Sequence, residues 1–160
     1  MPDQVFIILF RGVGGQTKLP SAPLRDALTA AGFGGVTTYI ATGNVVLTSD
    51  LSAEAVRSRI AAIARKKLGF SKPILVVSRR EWTALIHNNP FPEGADAPQT
   101  LHAFVLEAKP RAEGIVTAIM ARAAANERVA LKGKVLYLHT PMASGAQSCR
   151  RSSSGCSAWR

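Results

Sequence analysis

Residues 1–141 contain no cysteine. That stretch therefore offers no disulfide framework, no thiolate metal cage and no nucleophilic thiol. Cys149 and Cys156 both fall in the last nineteen residues, and two thiols without a nearby histidine in sequence make no four-ligand site. Acidic residues are scarce, 10 against 20 Lys and Arg. Glu54, Glu81 and Glu93 form no readable acid–base pair, and no serine sits in a Gly-x-Ser-x-Gly elbow. No apolar run approaches the ~20 residues of a membrane span. MPDQVFIILFRG lacks a basic leader and a cleavage-like site, so it does not read as a secretory signal. These absences predict a cytoplasmic protein with no membrane partner, no metal and no cofactor.

What is present is 160 residues, 47% hydrophobic, with a formal charge of +10. That length suits one compact domain or two small halves. The charge favours anionic partners such as nucleotides or nucleic acid, although a basic balance also serves solubility alone.

The patterns along the chain are well punctuated. Val5–Phe10 is a continuous apolar run, predicted as a strand buried on both faces. Leu24, Ala27, Leu28 and Ala31 mark one helical face closed by Gly32. Strands are predicted at about 36–41 and 45–49 around a turn at Thr42–Asn44. Ser52 caps a helix whose inner face is Val56, Ile60, Ile63, Ala64 and Leu68, and Gly69 ends it. A strand at Pro73–Val77 leads to Ser78-Arg-Arg-Glu81, which has capping-box spacing and opens a helix through Trp82, Leu85 and Ile86. HNNPFPEGADAPQ is the best candidate boundary. Beyond it come a strand at Leu101–Glu107, a helix from Arg111 with Ile115, Ile119, Met120 and Ala123 on its face, and a hairpin around Lys132-Gly133.

The first half reads βαββαβ, the order of a ferredoxin-like unit, and the second restarts as βαββ. The predicted fold class is therefore α+β, with two ferredoxin-like units in one chain and the second truncated. The expected divisions are 1–78 for the first unit, 79–99 for a linker helix and Pro-rich loop, 100–141 for the incomplete unit, and 142–160 for a disordered tail. A truncated unit leaves a strand edge exposed, which favours self-association.

Arg11-Gly-Val-Gly-Gly-Gln-Thr-Lys18 joins a buried strand to a helix. Glycine permits positive φ and close approach, backbone amides can surround an anion, and Arg11 and Lys18 add charge. The candidate anion contacts are Arg11, Gly12, Gly14, Gly15 and Lys18. A plain glycine turn with two solvated cations is the equal alternative. The loop is neither a Walker A sequence nor a dinucleotide fingerprint, since Leu19 follows Lys18 and Thr17 stands at the third glycine position.

Gly43 and Asn44 read first as a turn that tolerates left-handed backbone. In the simplest arrangement this hairpin and the glycine loop occupy opposite ends of the sheet, so no shared site is expected. His87, His102 and His139 are scattered without metal-ligand spacing. Arg57, Arg59, Arg65, Lys66 and Lys67 could line a phosphate track, although a solvated face is the commoner meaning. The strand Val45-Val-Leu-Thr-Ser presents no aromatic for base stacking, which disfavours an RNA-recognition platform.

Four ordered segments, ILFRGVGGQTKLP, TTYIATGNVVLTSD, NNPFPE and VALKGKVLYLHTP, resemble the bacterial DUF1697 family. Its members open with Leu-Arg-Gly-Ile-Asn-Val-Gly-Gly and later carry Tyr-Ile-x-Ser-Gly-Asn-Val-Val. The resemblance marks Tyr39, Gly43 and Asn44 as motif positions. The glycine loop here lacks the Ile-Asn of the family pattern. The resemblance implies no reaction, so binding of an anionic ligand stands beside two alternatives, an enzyme of unknown reaction and an interaction module with structural loops.

The family continues with Asp-Gly-x-Gly-Arg-Ser-Lys-Leu, which is absent here. Codons for residues 142–160, regrouped by one base, can encode DGFGRSKLPAKLERMLGVA. The tail is therefore read as out of frame, and its Arg-Arg-Ser-Ser-Ser and paired cysteines are not counted as functional. Its three arginines leave residues 1–141 at +7 of the +10.

Overall fold

The computed structural model describes residues 3–14, 17–39, 43–110, 114–124 and 126–141. Gly15 and the tail from residue 142 lie outside them. Two compact units divide between Thr83 and Ala84.

The first unit runs β1 (Gln4–Phe10), α1 (Ser21–Ala30), β2 (Gly34–Tyr39), β3 (Asn44–Ser49), α2 (Ala53–Leu68) and β4 (Ile74–Ser78). Its four strands are antiparallel in the order β2-β3-β1-β4. On β1, Phe6, Ile8 and Phe10 are buried and enter a core with Leu24, Leu28, Val45, Leu47, Val56, Ile60 and Ala64. The intervening Val5, Ile7 and Leu9 are only half-buried. Complete burial of both faces of this strand is thus corrected: side chains alternate, and only the face towards the helical side chains is sealed. β2 starts earlier than expected, at Gly34, because its register shifts between Gly34 and Thr37. Gly35, at φ 56°, makes that irregularity possible.

Helix α2 forms where its local signals place it. Ser52 accepts from the Ala55 N–H at 3.3 Å, and Gly69 closes the other end at φ 66°. Its basic face is partly engaged. Arg57 donates to Glu54 at 2.9 and 2.6 Å and holds that carboxyl below its ordinary range, chiefly through the hydrogen bond. Arg59 donates to the Ala31 carbonyl and lies over the Phe33 ring, 5.4 Å from its centroid. These two arginines serve the fold, which removes them from any uninterrupted phosphate track.

Helix α3 (Arg79–His87) carries the predicted capping box. The Ser78 N–H donates to Glu81 Oε2 at 2.9 Å and the Glu81 N–H donates to Ser78 Oγ at 3.2 Å. Its apolar residues do not make a buried face: Ile86 is 59% exposed and Trp82 is exposed as well.

The second unit adds two 3-10 turns, Pro92–Ala95 and Pro98–Thr100, then β5 (Leu101–Val105), α4 (Ile115–Met120), β6 (Arg128–Lys132) and β7 (Val135–His139). Its sheet order is β5-β7-β6, antiparallel throughout. The three strands β5, β6 and β7 thus repeat the relative order of β1, β2 and β3. Gly133, at φ 59°, turns the final hairpin. Met120, expected on the inner face of its helix, is exposed. The described helix is only six residues long, and the predicted start at Arg111 lies outside the described residues.

A packed polar group ties the Pro-rich stretch to this sheet. His139 is buried and stacks on Phe91 at 5.7 Å. Arg128 donates to His139 Nδ1 at 2.9 Å, pairs with Glu93 and covers the Phe91 ring. Tyr137, also buried, donates its hydroxyl to the Leu85 carbonyl at 2.6 Å. Of the three histidines, His139 therefore acts as a packed structural residue.

Candidate functional site

β1 and β3 run antiparallel with Ile8 opposite Val45. The end of β1 and the start of β3 consequently lie at one end of the sheet. This corrects the expected separation of the glycine loop from the β2–β3 hairpin: a chain leaving up β1 meets a hairpin whose second strand starts down beside it. The contact is close. A Cβ at Gly43 would stand 2.9 Å from Leu19 Cδ2, and Leu19, directly after Lys18, is buried. Gly43 also has φ 73°.

The loop is tied at its start and between Gly14 and Thr17. The Arg11 N–H donates to the Pro73 carbonyl at 3.1 Å. Gly14 and Thr17 exchange both backbone hydrogen bonds, at 2.9 and 3.0 Å. Those amides are committed within the protein. Gly12, at φ 66°, approaches Lys72: a Cβ there would stand 3.7 Å from Lys72 Cγ. Lys72 is the residue that sequence reasoning missed. It precedes Pro73, the partner of Arg11, and only that long-range pairing could have pointed to it.

Helix α1 begins immediately beyond Leu19. Pro20 at its N-cap makes no side-chain cap, and its first turn carries no acidic residue. The partial positive charge of this helix end is thus uncompensated by its own sequence. Lys18 and Lys72 are exposed, and neither has an acidic partner among the described residues.

Tyr39 is 69% exposed and pairs across the hairpin with Asn44, which is half-buried. His87 and His102 lie in the second unit, on the end of α3 and on β5. No cluster of three or more potential metal ligands occurs among the described residues. A separate open cleft of about 560 Å³ is lined by Asp3, Gln4, Val5, Ser78, Arg79, Arg80 and Thr83. It flanks the start of β1, the opposite end from the glycine loop, and its Ser78 is engaged in the capping box. No described helix is long and apolar enough to cross a membrane.

Comparison with curated proteins gives no match. Among solved structures, a conserved bacterial protein from Streptococcus pneumoniae is similar, with a TM-score of 0.70 at 19% sequence identity over 88% of this chain and 79% of that one. This likeness supports the mixed α+β architecture. A family model described as a protein of unknown function matches residues 4–137. With most of its length in that match, the chain belongs to the DUF1697 family.

Proposed function

We propose that this end of the first sheet binds a phosphate-bearing anion. The observation that carries the reading is a glycine loop that ends in Lys18, leads into an uncapped helix and has the Lys72 side chain packed beside Gly12. Arg11 adds a third cation, and the amides at the start of α1 add donors. The Gly14 amide is engaged by Thr17, which takes it out of the expected backbone cradle. A charge-assisted contact contributes about 1.5–3 kcal/mol, so Lys18→Ala with Lys72→Ala should weaken tripolyphosphate binding by more than tenfold. Calorimetric titration at low salt measures this, and melting of the double variant should be unchanged. Undiminished binding by that variant would overturn the reading.

The ferredoxin-like description belongs to the same proposal. The order β2-β3-β1-β4 with two helices supports it for the first unit, and the matching order β6-β7-β5 supports a duplication.

A further inference from the structure

Resting on the anion reading, we infer that the ligand is a nucleoside phosphate, its base stacked on Tyr39 and its phosphate held at the glycine loop. Tyr39 is the most exposed of the large apolar side chains among the described residues, at 69%. Its orientation follows from strand parity. Thr38 pairs with Val45, whose side chain is fully buried, so Tyr39 and its partner Asn44 point to the other sheet face. Thr37 and Val46 share that face, and Val46 is 38% exposed. The ring therefore lies beside open sheet surface, at a ladder position that fixes its backbone.

Three features join this platform to the loop. Ile8 pairs with Val45, which brings Leu9 level with Asn44 and Asn44 level with Tyr39. Two strand spacings, about 10 Å, thus separate the exit of β1 from Tyr39. Gly43 packs on Leu19, so the hairpin is seated against the segment that carries Lys18. Asn44, beside the ring, offers both donors and an acceptor to the edge of a base.

An inorganic anion would leave Tyr39 and Asn44 unused. A long single strand tracked across the sheet would need successive aromatic platforms, and Val45, Val46 and Leu47 supply none. One ring and one cationic loop suit one nucleotide unit, whether free or within a strand. The motif positions Tyr39, Gly43 and Asn44 then acquire separate roles: stacking, seating of the hairpin and reading of the base edge.

The test titrates the full chain with ATP, tripolyphosphate and an oligodeoxyadenylate at one low salt concentration. ATP should bind at least tenfold tighter than tripolyphosphate. Tyr39→Ala should reduce ATP affinity to the tripolyphosphate level, leave tripolyphosphate binding unchanged, and leave melting unchanged. Tyr39→Phe should retain ATP, because stacking requires the ring and not the hydroxyl. Oligodeoxyadenylate that displaces ATP in a Tyr39-dependent way identifies a nucleotide within a strand as the source, and failure to compete identifies a free nucleotide. Equal affinities for ATP and tripolyphosphate, or a loss of both with Tyr39→Ala, would overturn the inference. Tripolyphosphate binding that ignores Lys18→Ala and Lys72→Ala instead removes the underlying anion site.

Discussion

Tyr137→Ala is expected to lower the stability of the second unit by about 3–5 kcal/mol, the range for removing a large buried aromatic. Tyr137 is 2% exposed on β7, the central strand of a three-stranded sheet. Its ring fills a small core, and its hydroxyl joins β7 to the Leu85 carbonyl of α3. Truncation would remove both the packing and that tie. Tyr137→Phe separates them, and losing the hydrogen bond alone should cost about 1 kcal/mol. Hydrogen exchange in β5, β6 and β7 provides the readout, and unchanged protection in Tyr137→Ala would contradict the structure.

The same hydroxyl predicts a pH dependence. Burial raises the Tyr137 pKa above its ordinary 10.0. The folded state therefore resists ionisation that the unfolded chain accepts. This contribution is fully present below the unfolded pKa and is lost as pH climbs from there through the folded value. Protection of β7 should decline in alkali in the parent chain, and this component should vanish in Tyr137→Phe.

Gly43→Ala is expected to cost about 2–4 kcal/mol, combining backbone strain of about 1–3 kcal/mol with a clash. Its φ of 73° disfavours a side chain, and the new methyl would press on buried Leu19. Gly69 supplies the control. It has φ 66°, but a methyl added there would meet nothing within 4 Å, so Gly69→Ala should cost only about 1 kcal/mol. Chemical denaturation compares the two. Because Leu19 adjoins Lys18, Gly43→Ala should also weaken tripolyphosphate binding, whereas Gly69→Ala should not. Equal costs for the two substitutions would argue against the Gly43–Leu19 contact.

Features set by short-range chemistry were legible in the sequence. Ser52, Gly69, the Ser78–Glu81 box and Gly133 each act within a few residues, so their side-chain types announce their roles. The order of strands and helices was also readable, through changes of hydrophobic period. What stayed hidden depends on pairing between distant segments. Lys72 joins the glycine loop because β4 lies beside β1, and nothing near Lys72 advertises that. The shared position of loop and hairpin follows from strand direction, which composition does not encode. The exposure of Trp82, Ile86 and Met120 was hidden for a related reason: periodicity shows that a face is apolar, not whether a neighbour covers it.

The central position of β1 also has a consequence in time. VFIILF emerges before both of its partners, β3, ending at Ser49, and β4, ending at Ser78. At roughly 5–20 residues per second, the interval from the first strand to the last of that sheet is about 4–15 s. Throughout it, the most apolar strand of the unit lacks one of its two flanking strands. Residues 5–10 therefore wait for that interval before their own sheet can flank them on both sides, while the β6–β7 hairpin, whose strands follow one another directly, needs no such wait.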